Sequence, residues 1–281
     1  MSSPLGSNIL LALFKNNNAN KNYVQLETLL INKKEFDNKT KVYYSNINDV
    51  KNKLHLPENV KILNLMNFKE DNKEVLWMNK KKTINDFIEK NLTIETKLVL
   101  SNISTYEDKW NKHGNYESAI MKVYNSFNYT EDIKYEARLL ELPMRDNDFK
   151  LVIIVPNEVD VLNNLVKKLT LEGFSAATAS IQPLFTSRCT LNAPCIKFDS
   201  LLEETLKIDN GVTITKAEVG SVNIDDSGVS INVFTCIFPA SIQTQVTKKL
   251  KNISENPFYF YLVFKDTPIF NGKYIDVKKP N

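Results

Sequence analysis

The chain has 281 residues, 42% apolar and 25% charged, with a formal charge of +3; that balance supplies a substantial core and excludes a fibre or a wholly disordered chain. Its basic residues are nearly all lysine, broken by Arg138, Arg145 and Arg188, and interleaved acids leave no concentrated basic face for nucleic acid. The longest early apolar run, Ile9–Phe14, is far short of the ~20 residues that span a bilayer. No membrane insertion is expected.

In chain order, Ser7–Phe14 and Tyr23–Leu30 read as short helices, and Lys41–Asn46 and Ile62–Phe68 as strands. Between Lys73 and Asn91, Val75, Trp77, Ile84, Phe87 and Ile88 are spaced for an amphipathic helix with a lysine-rich outer face. Thr96–Thr105 reads as a buried strand; Met121–Tyr124, Ala137–Leu142 and Leu151–Val155 predict an antiparallel meander, with Pro143–Asp148 a turn. Val159–Leu169 is expected to be a helix, Ser175–Pro183 a loop, Leu201–Leu206 a short helix and Val212–Ile224 a strand. Phe258–Phe264 and Ile269–Val277 form a terminal hairpin. Helices and strands mix without βαβ alternation, which makes the class α+β.

The segment between the last two predictions is unusual. After Asp225-Asp226-Ser227-Gly228, residues Val229, Ile231 and Val233 alternate with Ser230, Asn232 and Phe234, the period of a half-buried strand. Connecting loops are rarely written this way.

Little in the chain points to catalysis. Only His55 and His113 could serve as imidazole bases, and neither sits in a nucleophile or zinc motif. Cys189, Cys195 and Cys236 are odd in number without CxxC spacing, which fits buried free thiols better than disulfides or metal. Phosphate-cradling glycine motifs are absent, and the sequons at Asn38, Asn91, Asn102, Asn128 and Asn252 mean little in so Asn-rich a chain. No enzyme, cofactor or metal site is expected. Met1-Ser-Ser-Pro-Leu-Gly-Ser has no secretory pattern; the expectation is a cytoplasmic protein, or an extracellular one if the N-terminus is truncated.

Four segments resemble the serpin family. Ile84–Lys90 followed by Thr96–Trp110 is similar to the family's helix over the main sheet and its "LVNxxxFKGKW" strand, with Asn102 and Trp110 at the Asn and Trp of that pattern. Leu139–Pro143, Leu151–Glu158 and Leu165–Thr170 are similar to the "LELPY…LPDE…LEKxLT" run. Pro257–Phe264 with Phe270–Tyr274 is similar to the closing "PFLFFI…FxGRV" hairpin, and Ser3-Pro4 to the "FSP" opening of the second helix. The segments follow the family's order from end to end, which implies one serpin-like domain over 1–281. Relative to the family the first helix and its following strand are missing, the stretch after Lys90 is trimmed, and Lys207–Val212 replaces a longer connection.

The resemblance implies a suicide inhibitor, in which a protease cuts the exposed loop and the loop inserts as a new central strand, using strain stored in the fold. The hinge then comprises Asp226, Ser227, Gly228, Val229, Ile231, Val233 and Phe234, against a family pattern of "EEGTEAAAA". The glycine and the acidity at Asp226 are kept, while the alanines become Ile-Asn-Val-Phe. Side chains too large for their space cost ~1–3 kcal/mol each, and even ~3 kcal/mol in the barrier would slow insertion roughly a hundredfold. The scissile bond falls near Ile242-Gln243 counting from Gly228, or near Val246 counting back from Pro257; Lys248 also invites a trypsin-like cut. Ser3, Asn102 and Trp110 fall at structural positions beneath and beside the main sheet. Three functions stay open: a non-inhibitory or weakly inhibitory protein binding a partner through its surface or loop, an active inhibitor of a serine or cysteine protease, or a structural or decoy protein that oligomerises by loop-strand pairing.

Overall fold

A computed structural model describes residues 1–14, 21–46, 54–57, 60–68, 96–110, 120–125, 128–158, 161–172, 182–183, 189–194, 196–207, 213–225, 227–239 and 257–275. The helix expected over Lys73–Asn91, and with it Ile84–Lys90, lies outside these residues, as does His113.

Helices α1 (Pro4–Ala12) and α2 (Lys21–Leu30) precede β1 (Phe36–Tyr44), β2 (Lys61–Asn64) and β3 (Leu98–Lys109). Then come β4 (Ile120–Asn125), β5 (Asn128–Asp132), β6 (Ala137–Pro143), β7 (Phe149–Pro156) and α3 (Leu162–Glu172). The chain continues with β8 (Gln182–Pro183), β9 (Cys189–Pro194), β10 (Ile196–Lys207), β11 (Thr213–Ile224), β12 (Gly228–Pro239), β13 (Phe258–Phe264) and β14 (Thr267–Tyr274). Two compact units result: Met1–Tyr106 with Phe198–Val222 and Ile231–Thr247, and Glu107–Lys197 with Asn223–Ser230 and Lys248–Asn281.

One of two six-stranded sheets has the order β10-β11-β12-β3-β1-β2. Strand β1 runs antiparallel to β3, from Phe36 opposite Tyr106 to Tyr44 opposite Leu98, and parallel to β2. Alternation sends successive side chains to opposite faces. One face gathers Tyr43, Val99, Ala217, Phe234 and Cys236; the other gathers Val42, Leu98, Leu100, Ile214 and Ile237 with Leu10 and Leu13 from the N-terminal end. Helix α1 begins where Ser3, in an extended conformation, accepts the Gly6 amide on its side chain, with Pro4 preset for the first turn.

In the second unit the sheet order is β14-β13-β7-β6-β5-β8. Helix α3 lays Leu162, Leu165 and Leu169 on Leu139, Val152, Ile154 and Val263. Lys265 and Asp266 turn β13 into β14 with left-handed backbones.

Three expectations are corrected. Leu201–Leu206 belongs to β10, not a helix, because pairing beside β11 decides the state of a segment whose apolar spacing is ambiguous. The strand expected to reach Phe68 stops at Asn64, whose side chain accepts the Met66 amide and caps a 3-10 turn over Leu65–Asn67. Finally, β4 is no part of a meander with β6 and β7; it pairs with β9, and β5 takes the place beside β6.

Candidate functional site

The chain leaves β11 and enters β12 through a turn assembled around Asp225. Its Oδ1 accepts the amides of Ser227 at 2.8 Å and Gly228 at 3.2 Å and the Ser227 hydroxyl, its Oδ2 accepts Asn223 Nδ2 at 2.7 Å, and its own amide donates to the Gly228 carbonyl at 3.1 Å. Partial burial pushes the Asp225 pKa up, but hydrogen bonds from Ser227, Asn223 and Gly228 outweigh it and the value is lowered.

Trp110 clamps this turn from the end of β3. Its indole N–H donates to the Asp225 carbonyl at 2.7 Å and its backbone N–H to the Ser227 carbonyl at 3.3 Å. Alongside, buried Asp108 accepts the Asp146 amide at 3.0 Å and lies 3.4 Å from the Arg145 guanidinium. Gly228 has no alternative here, since a Cβ would stand 2.1 Å from the Asp108 carbonyl oxygen. Of the hinge residues, Asp226 lies outside the described residues.

Beyond the hinge, β12 is an interior strand between β11 and β3. Val229, Ile231 and Val233 are buried while Ser230 and Asn232 are half-buried, the alternation expected from sequence. From Val233 to Phe238 every side chain is buried, so both faces are covered. Phe234 is not on a wet face: it is 1% exposed, in the cluster with Tyr43, Val99, Ile103 and Ala217. Cys236 lies in the same cluster, where burial pushes its thiol pKa up to about 12, an inert setting. Ile242, Gln243, Val246 and Lys248 lie outside the described residues.

Two polar networks lie among the buried side chains of the first unit. Asn102 donates to Asn38 Oδ1 at 2.8 Å and Thr40 Oγ1 at 3.0 Å and accepts the Ser104 hydroxyl at 2.7 Å. Close by, a Cβ on Gly6 would come within 2.5 Å of Asn102 Oδ1. The second network centres on the fully buried Glu218. Its Oε1 accepts the Ser3 amide and the Ser7 hydroxyl, each at 3.0 Å, and the Thr235 hydroxyl at 3.3 Å; its Oε2 accepts the Ser2 hydroxyl at 2.7 Å and faces Lys216 Nζ at 3.2 Å. Burial alone would lower the Lys216 pKa, but Glu218 and Glu204 overcome it and the value is raised. The sequence analysis missed Glu218. Its signal is parity: Ile214, Lys216 and Glu218 share one side of a strand, and charges in line with a core residue require partners.

Among the described residues, no group of three acidic, histidine or cysteine side chains is placed to hold a metal, and no helix is long and apolar enough to cross a membrane. The candidate site is a strand and its hinge, held inside the sheet of an α+β protein. No family model matches the chain. It is 30% identical over 156 residues to human Serpin B4, a match covering 54% of this chain and 37% of that protein. Two solved structures share the fold: the thermophilic serpin Tengpin in the latent state, TM-score 0.63 at 18% identity over 98% of this chain and 91% of the other, and a cleaved Serpin 42Da, TM-score 0.61 at 15% identity over 91% and 80%. The chain has a serpin-like fold and is similar in sequence to these serpins, and its match spans less than half the length of the human relatives.

Proposed function

We propose that this serpin-fold protein holds its reactive-centre-like strand in the sheet as a resident element and acts by binding a protein partner, with little or no inhibitory insertion. The observation that carries this is the position of β12, paired between β11 and β3 and buried on both faces. An inhibitor works by differential stability, with the loop out before cleavage and in afterwards. A strand already inside has no such gain left to release. The hinge chemistry supports the same conclusion, since a phenylalanine moves into a closing sheet more slowly than an alanine, yet once seated Phe234 contributes to the core.

Active inhibition of a serine or cysteine protease is the competing function, and the same strand favours it in one respect: a sequence that fits the sheet this well would stabilise a cut loop strongly. Incubation with a panel of serine and cysteine proteases, followed by denaturing electrophoresis and thermal unfolding, separates the two. A resident strand predicts no detergent-stable complex and a Tm after cleavage within ~4 °C of the uncut protein, the scale of ~1 kcal/mol in a chain of this size. A covalent complex, or a large rise in Tm, would establish the inhibitor.

A further inference from the structure

We infer that the groove between the β5–β6 turn and the first two turns of α3 is a docking site for a peptide segment of a partner protein, one that carries a large apolar side chain flanked by carboxylates; it supplies a surface for the partner binding proposed above and rests on that reading. The groove has a volume of about 260 Å³ and lies wholly within the second unit. Tyr135, Val161 and Leu165 form its apolar part; Glu136, Asn164, Lys167 and Lys168 form its polar part. That volume is below the ~300–1,000 Å³ of small-molecule sites. It suits a single anchoring side chain, the form in which interface hot spots are seated.

Both walls are built outward from the core. Leu162, Leu165 and Leu169 turn one side of α3 to the sheet, which leaves Asn164, Lys167 and Lys168 exposed on the other. In the β5–β6 turn Glu136 has φ 50°, a left-handed backbone that glycine would adopt more readily. Its amide donates to the Ile133 carbonyl at 3.3 Å and its carbonyl accepts the Asn157 amide at 2.9 Å. Glycine there would relax the turn and remove the carboxylate from the groove. Ile133, in the same turn, is 93% exposed and adds an apolar contact beside it.

Charge decides the occupant. Lys168 donates one of its three N–H groups to the Lys134 carbonyl at 3.3 Å, which draws its ammonium toward the turn and leaves two donors. Lys134 Nζ stands 5.2 Å from the centre of the Tyr135 ring. Among the described residues the Lys167 ammonium and the Glu136 carboxylate make no ion pair. A carboxylate on the occupant meets Lys167 and Lys168, while Glu136 accepts from a backbone amide or a basic side chain. A polypeptide presents both kinds of group around an apolar side chain. A polyanion presents only the first, and Glu136 repels it.

The test is selection of short random displayed peptides on the full chain. Each enriched peptide is then synthesised, and its affinity is measured by fluorescence anisotropy for the unaltered protein, for the double variant Lys167→Glu with Lys168→Glu, and for Val161→Asp. The substituted side chains are exposed or half-buried, and thermal unfolding confirms that the variants fold. Enriched peptides are expected to place an apolar residue next to acidic ones, and both variants to weaken them about tenfold or more, the scale of a lost hydrogen bond to a charged group. The site is overturned if no peptide of that pattern is enriched. It is overturned as well if the enriched peptides bind both variants undiminished, which would leave partner binding standing at another surface. Dextran sulfate that binds through the two lysines, binds more tightly to Glu136→Ala and is not displaced by the peptides would make this a polyanion site and overturn the peptide site. A detergent-stable protease complex would instead overturn partner binding as the function without altering the peptide result, so the two failures are distinguishable.

Discussion

Truncating Phe234 to alanine removes a ring that is 1% exposed and shares a core with Tyr43, Phe68, Val99 and Ile103. The T-shaped pair of Tyr43 and Phe68, with centroids 4.8 Å apart, belongs to that core. Large-to-small replacement of a buried phenylalanine costs ~3–5 kcal/mol, lost transfer energy and residual cavity together. We expect Phe234→Ala to lower the unfolding free energy by that amount, seen as a lower urea midpoint at an unchanged slope. If β12 spent its time outside the sheet, the ring would be wet and its loss nearly neutral, so a change below about 0.5 kcal/mol would contradict residence. The expectation from sequence that Phe234 would hinder insertion concerned a rate; the structure addresses only the destination, and there the ring is a core residue.

Individual elements were legible to different degrees, for physical reasons. The alternation of Val229, Ile231 and Val233 announced β12, whereas the close approach of Gly228 to the Asp108 carbonyl shows only in the fold. Strand β10 was not legible, because Leu201, Leu202 and Leu206 fit either period and only the neighbouring β11 resolves them. The polar centre at Glu218 joins residues more than two hundred positions apart in sequence, beyond the reach of any local pattern. The β11–β12 turn carries a pH signature of its own. The Asp225 pKa lies below its ordinary 3.8 in the folded state, so its contribution to stability is fully present above that value and is lost as pH falls through the folded one. Against Asp225→Asn, the unaltered protein should have its full advantage in urea midpoint near pH 6, and the gap should narrow below pH ~4. A gap that is constant down to pH ~2 would show that the carboxylate's charge does nothing for the turn.

At the scale of the whole chain, the position of β12 also bears on association. Oligomerisation by loop-strand pairing needs a strand with free backbone N–H and C=O groups, the feature that makes exposed edges template other chains. In the six-stranded sheet, β12 is flanked by β11 on one side and β3 on the other, leaving the edge positions to β10 and β2. Strand β2 is only four residues long and opens with Lys61, and short, charged edges resist pairing. Edge strand β10 presents Lys197, Asp199, Glu203, Glu204 and Lys207 along its length, with Glu204 drawn to Lys216 at 3.0 Å. A resident β12 therefore removes the most apolar strand available for exchange and leaves charged ones outside. We expect sedimentation velocity to give one monomeric species whose proportion is unchanged over a hundredfold range of concentration. Phe234→Ala, which weakens the hold on β12, is then the variant in which a larger species should first form. Self-association of the unaltered protein that grows with concentration would mean that β12 or another strand is free to pair, and would favour the structural or decoy function over partner binding by a monomer.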